Sequence, residues 1–176
     1  MKIEVLRIGQ RLVRDDRVTT HAALVSRAFG ASKILMYDVN PDIKDTISKI
    51  NRMWGSDFKV EMIENWKEVI SSKKKGAFKI VHLTMYGESL NTMEPDLRKE
   101  DKILVVIGAE KVPREVYDMA DYNIAVGNQP HSEISALAVL LDRVLQGKQL
   151  QTKYSNAEHE IIPTKKGKRV MNKTTD

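Results

Sequence analysis

The stretch "RLVRDDRVTTHAALVSRAFGA", residues 11–31, gathers Arg11, Arg14 and Arg17 around Asp15 and Asp16 and follows them with Thr19, Thr20 and His21. Fork-shaped guanidinium groups at this density suit phosphate, and an imidazole titrating near neutrality suits proton uptake. A plainer reading stands beside it, in which the aspartates pair with the arginines and a threonine caps a helix. For the threonines the cap is the preferred reading. Three further stretches, "HLTMYGESL", "VIGAEKVPREV" and "VGNQPHSE", place Gly87, Gly108 and Gly127 just past apolar runs. Glycine lets a backbone approach a ligand closely and leaves its N–H and C=O groups free to read it. One such glycine is only a turn, whereas three at successive junctions point to a nucleotide-sized pocket. Neither Gly-Lys-Ser/Thr nor Gly-x-Gly-x-x-Gly occurs, which argues against a Walker-type ATPase and a Rossmann dehydrogenase. His21, His82, His131 and His159 lack metal-ligand spacing, so no zinc site is expected and each reads as a hydrogen-bonded or exposed histidine.

These residues need a scaffold, and the chain supplies an α/β pattern. Ile3 to Ile8 alternates like a strand, a helix follows over about Thr20 to Phe29, then "KILMYDV" and a helix from near Pro41. "DFKVEMI" and "AFKIVHL" flank the helical "NWKEVISSKKK", and the strand ending at Leu83 leads into the first glycine stretch. The run "KILVVIG" is apolar throughout, as in a strand buried on both faces, and "DYNIAVG" is the last strand before a core helix. In that helix Ile134, Leu137, Ala138, Leu141 and Leu145 share one face, with Asp142 and Arg143 turned away and Gly147 as C-cap. A mainly parallel sheet flanked by helices is expected, with ligands at its carboxyl ends. Lys73 to Lys75 reads as the solvated end of a helix.

At 176 residues one domain is expected over 1–150, with a basic appendage over 151–176 in which "EIIPTKKGKRVM" reads as a hairpin about a Lys-Gly turn. The formal charge of +5 sits mostly in the C-terminal part, where Lys148, Lys153, Lys165, Lys166, Lys168, Arg169 and Lys173 face only Glu158, Glu160 and Asp176. That asymmetry suits a polyanionic partner, and equally a tail that serves solubility. The absence of cysteine excludes disulfides, thiolate metal sites and cysteine nucleophiles. No apolar run has the length of a membrane span or the look of a signal peptide, so a soluble, cytoplasmic protein without membrane or metal partners is expected.

Taken together, "RDDRVTTHAALVSRAFGA", "HLTMYG", "VIGAEK" and "ADYNIAVGNQPHSEISALAV" closely resemble the archaeal tRNA cytidine-56 ribose 2'-O-methyltransferases of the knotted SPOUT superfamily. The resemblance covers roughly Met1 to Leu150, and the basic tail is also similar. It implies a trefoil knot in the C-terminal half, which generic topology rules disfavour. It further implies S-adenosylmethionine held by the knot loops, a homodimer, and the tRNA T-loop as substrate. Carried over by position, Leu83 with the loop after it, Gly108, Ala109, Glu110, Lys111 and Val112, and Val126, Gly127, Asn128, Gln129, Pro130, His131, Ser132 and Glu133 are the cofactor-holding residues. On this reading Gly127 and Asn128 let the chain fold round the adenosyl group, and Pro130 starts the last helix. The wider ribose methyltransferases carry Gly-x-Glu-x-Gly at the second motif. Here Gly108 and Glu110 fit, and Val112 replaces the second glycine.

Methyl transfer to a ribose hydroxyl is an in-line displacement that asks for alignment and for uptake of one proton. Arg14 and Arg17 rank first for catalytic or phosphate-positioning roles and His21 second. An arginine base is awkward because guanidinium holds its proton strongly, and histidine is the easier acceptor. Relatives place an Asn and an Arg inside the first helix, where this chain has Thr20, His21 and Leu24. Two rival readings are a noncatalytic RNA-binding module, against which the three glycine loops count, and a methyltransferase acting on a base nitrogen.

Overall fold

The computed structural model describes residues 1–9 and 16–173, with the backbone alone at Asp16; Arg11, Arg14 and Asp15 lie outside the described residues. The strands are β1 (Lys2–Ile8), β2 (Lys33–Tyr37), β3 (Lys59–Ile63), β4 (Lys79–Ser89), β5 (Lys102–Gly108) and β6 (Tyr122–Ala125). The helices are α1 (Asp16–Ala28), α2 (Ile43–Trp54), α3 (Trp66–Lys75), α4 (Leu90–Leu97), α5 (Arg114–Met119) and α6 (Glu133–Leu145). A 3-10 turn over Lys148–Gln151 leads to the antiparallel pair β7 (His159–Ile161) and β8 (Val170–Asn172).

The first six strands form one sheet in the order β3-β2-β1-β5-β4-β6, and every pairing in it is parallel. Alternation along each strand feeds two cores. Ile3, Val5, Val81 and Val105 meet Leu137 and Leu140 of α6 on one face, while Leu6, Ile80, Leu104 and Val106 meet Trp66, Ile70 and Val116 of α3 and α5 on the other. This two-sided burial is why "KILVVIG" reads as an unbroken apolar run. Because β5 returns between β1 and β4, the carboxyl ends of β1, β4, β5 and β6 open at the same edge, where an open α/β sheet holds its ligand. Among the described residues no helix is long and apolar enough to cross a membrane.

Several sequence expectations shift. The strand ending at Leu83 continues instead to Ser89, with its register against β6 broken between Leu83 and Glu88. In α6 the buried face is Ala136, Leu137, Leu140, Leu141 and Val144, so the apolar stripe is rotated and Ile134, Ala138 and Leu145 only flank it. Asp142 does not turn away to solvent, because its carboxylate accepts from Gln149 Nε2 at 2.9 Å. The left-handed residue that ends α6 is Gln146 (φ 57°), with Gly147 (φ 72°) continuing the turn. Thr19 and Thr20 lie inside α1, which begins at Asp16, so neither is the cap.

Lys73 also departs from expectation: it turns inward from the end of α3 to the Glu4 carboxylate, which is 1% exposed and also paired with Lys2 at 3.1 Å. Burial pushes the Glu4 pKa up, and the two lysines outweigh it, so the group titrates below the usual carboxylate value. A lowered folded pKa gives stability that is present above the unfolded value and lost as pH falls through the folded one. The contribution is therefore expected to fade below about pH 4. Lys73→Met leaves a buried carboxylate short of a partner and should cost about 2 kcal/mol in urea unfolding at pH 7. The difference from wild type should shrink in acid, and equal midpoints at pH 7 would contradict this assignment.

Candidate functional site

The middle of β4, from His82 to Tyr86, and the carboxyl ends of β5 and β6 with the loops that follow them surround a cleft of about 740 Å³. That is ample for a nucleotide-sized ligand. Of the residues expected from sequence, Leu83, Gly108, Ala109, Glu110, Lys111, Val112, Val126, Gln129, Pro130, His131, Ser132 and Glu133 all line it. Gly127 and Asn128 belong to the same loop and are not part of the lining. Arg17 and His21 are exposed on α1 and do not line the cleft either, and Arg14 lies outside the described residues.

Each wall has a local cause. At β5, a Cβ on Gly108 would stand 2.9 Å from the Glu110 carbonyl and against the Val112 side chain, so the segment 109–112 folds back tightly over it. The valine found where relatives carry a second glycine is thus the side chain that packs over Gly108. At β4, a Cβ on Gly87 would collide with the Asn123 carbonyl and stand 2.6 Å from Ile124 N. Gly87 is accordingly a residue of strand-to-strand approach between β4 and β6, and its role is not that of a ligand-reading turn. After β6, Gly127 takes a left-handed φ of 78° with nothing near its missing Cβ. Of the three glycines it alone turns by positive φ.

The loop between β6 and α6 is held by its own polar side chains. Asn128 Nδ2 donates to the Met85 carbonyl at 2.8 Å, tying the loop to β4, and His131 Nε2 donates to the Val126 carbonyl at 2.7 Å. Ser132 is the N-cap of α6, its hydroxyl accepting from Ile134 N at 3.2 Å. Pro130 does not start the helix; it stands ahead of this cap, where its fixed φ shapes the turn. This accounts for the dense run of polar residues in "GNQPHSE": they fold a loop whose backbone has few ladder partners.

The loop that carries the arginines begins at the same edge. Arg7, fully buried at the end of β1, donates through Nη1 to the Gly9 carbonyl at 2.9 Å, and its Nη2 stands 3.6 Å from Glu133 Oε1 on the cleft wall. Ala109 N donates to the Ile8 carbonyl at 3.1 Å. Gly9 is thereby fixed beside the loops of β5 and β6.

The sequence reading missed His82, Arg114, Tyr117, Ile124 and Ala136, which line the cleft, whereas Thr84, Met85 and Tyr86, which line it too, belong to the segment it expected after Leu83. Arg114 and Tyr117 come from α5, whose six residues are too short to show a helical period. Thr84 Oγ1 lies 3.0 Å from the Tyr117 hydroxyl, so α5 is pinned to the continuing end of β4.

A family model described as tRNA ribose 2'-O-methyltransferase, aTrm56, matches residues 54–171. A tRNA (cytidine(56)-2'-O)-methyltransferase of Nitrosopumilus maritimus is 61% identical over 175 residues, covering 99% of each chain. In solved structures the fold is shared with the TrmH/SpoU tRNA modifying enzyme of A. aeolicus (TM-score 0.64, 18% identity, 88% of this chain and 80% of that one). It is also shared with the SpoU methyltransferase AviRb of Streptomyces viridochromogenes, a structure in complex with AdoMet (TM-score 0.61, 14% identity, 84% of this chain), of whose length this chain spans 58%. The chain belongs to the tRNA ribose 2'-O-methyltransferase family.

Proposed function

We propose that the protein transfers a methyl group from S-adenosylmethionine to the ribose 2'-hydroxyl of cytidine 56 in the tRNA T-loop. The observation that carries this reading is the meeting of three motif-bearing segments in one nucleotide-sized cleft, in a chain 61% identical along its length to a protein of that name. The residues fit such a cofactor. Leu83, Ile124, Val126 and Ala136 offer an apolar wall for a flat base, while Glu110, Glu133 and the backbone of the 109–112 and 126–132 segments offer polar groups. When bound, S-adenosylmethionine supplies an activated methyl on a sulfonium.

What remains for the chain's own residues is alignment of the ribose oxygen and removal of its proton. Arg14 and Arg17 are assigned to phosphate positioning or proton handling, with His21 as the alternative base. Arg17 and His21 do not line the cleft of their own chain, which favours a homodimer in which α1 of one copy serves the cleft of the other. Calorimetric titration with S-adenosylmethionine tests the first half of the reading: saturable binding at one site per chain is expected, and its absence would leave the noncatalytic RNA-binding module.

The basic end of the chain is assigned to the tRNA backbone. Lys165, Lys166, Lys168 and Arg169 are all exposed around the β7–β8 turn, whereas Lys173 is engaged with Glu160 and the Tyr154 carbonyl. Replacing the four exposed residues by alanine should flatten the plot of log affinity for tRNA against log salt by about 3, at roughly 0.7–0.9 per phosphate contact. An unaltered slope would mark the turn as solvated surface.

A further inference from the structure

His82 sits on β4 with 1% of its surface exposed. Its ring meets Tyr117 edge-on, with centroids 4.6 Å apart and planes at 85°. Nδ1 lies 2.8 Å from Asn123 Oδ1. The amide of Asn123 is oriented independently, because its Nδ2 donates to the Tyr117 carbonyl at 3.1 Å. Oδ1 can only accept, so Nδ1 of His82 carries the proton. Burial holds the imidazole below its ordinary pKa, against the opposing pull of the Asn123 bond, and the ring is neutral at pH 7. A neutral ring protonated on Nδ1 keeps its lone pair on Nε2. No described residue bonds Nε2, and His82 lines the cleft between Leu83 and Tyr117.

We infer that His82 is a positioning and specificity-determining residue whose Nε2 accepts a hydrogen bond from an N–H or O–H donor on the nucleoside part of the cleft's ligand. The inference rests on the reading of this cleft as the methyl donor's site. An adenosyl group carries two kinds of such donor, the exocyclic amine and the ribose hydroxyls. The contact discriminates because a ligand lacking the donor leaves a buried acceptor unmet, and because Asn123 prevents the ring from switching tautomer. Asn123 acts here through His82, as the residue that fixes the proton on Nδ1.

The test uses S-adenosylhomocysteine, which binds without turnover, together with one analogue lacking the exocyclic amine and analogues lacking one ribose hydroxyl. Affinities are measured for the wild type, His82→Phe and His82→Gln. His82→Phe keeps a flat ring against Tyr117 and should lose at least tenfold in affinity for the parent ligand, with His82→Gln recovering part through its amide oxygen. The analogue lacking the contacted donor should bind the wild type at least tenfold more weakly, and that penalty should vanish in His82→Phe. The analogue that shows this non-additivity identifies the donor.

Equal affinity of wild type and His82→Phe for the parent, or additive losses with every analogue, would overturn the contact alone. No binding by wild type would overturn both the contact and the donor-site reading. If His82→Phe fails to fold, the wild type alone decides through the ratio of parent to analogue affinity as the pH is lowered. Glu110, Lys111, Arg114, Tyr117, His131 and Glu133 line the same cleft and face both ligands, so the ratio is compared in place of either affinity alone. Protonation of Nε2 should bring the ratio toward one, and a ratio constant through the acid limb would overturn the contact.

Discussion

Gly87→Ala is expected to lower stability by about 3 kcal/mol and to weaken binding of S-adenosylmethionine by more than tenfold. The added methyl has nowhere to go. Its position lies 2.6 Å from Ile124 N and closer still to the Asn123 carbonyl, and both are backbone atoms that cannot rotate aside. Relief therefore requires β4 to move off β6 where the register between the two strands already shifts, between Leu83 and Glu88. Overpacking of this kind costs about 1–3 kcal/mol, and a backbone obstacle belongs at the upper end. Function suffers beyond stability, because Leu83 and Ile124 are cleft walls on these two strands and Asn123 holds the His82 proton. Urea unfolding and calorimetric titration check both parts, and a wild-type midpoint with wild-type affinity would contradict the close approach.

Gly127→Val should separate the two effects. Gly127 is exposed at φ 78° with nothing within 4 Å of a Cβ, so the substitution meets no steric wall in the body. Its cost is conformational. A β-branched residue in the left-handed region is disfavoured by roughly 1–2 kcal/mol, and the loop can escape only by changing shape. The new shape must break the tie from Asn128 to Met85 or move the Val126 carbonyl that His131 holds. Cofactor affinity is therefore expected to fall about tenfold or more, with a thermal transition close to wild type. Gly127→Asn should retain most of the affinity, since asparagine tolerates the left-handed region. Equal affinities for Gly127→Val and wild type would remove this loop from the site.

The parallel sheet was legible because its strands are short apolar runs separated by helical periods, with "KILVVIG" marking burial on both faces. What stayed hidden was set by tertiary contact. The continuation of β4 to Ser89 depends on pairing with β6, which no local pattern in "TMYGES" announces. The α4 segment contains Pro95, which reads as a breaker in isolation, and α5 is too short for a period. The true face of α6 is decided by what covers it, so a stripe drawn from Ile134 came out rotated. For the site, the glycine and polar loops were visible because turn chemistry is local. His82 was read as a hydrogen-bonded or exposed histidine, and its bond to Asn123 bears that out; its place in the cleft went unseen because Asn123 and Tyr117 are brought to it only by the fold. The roles of Arg14, Arg17 and His21 rest on the family resemblance, and of these Arg17 and His21 stand outside the cleft of their own chain.

The central claim is that this cleft carries methyl transfer to a tRNA ribose. Its most direct test is incubation of the purified protein with unmodified tRNA transcript and S-adenosylmethionine labelled in the methyl group, followed by nucleoside analysis and mapping of the label. Label recovered as 2'-O-methylcytidine at position 56 of the T-loop, and lost with Gly127→Val at limiting donor, is the predicted result. Label on a base nitrogen, or a protein that binds the donor and leaves the tRNA unlabelled, would contradict the account.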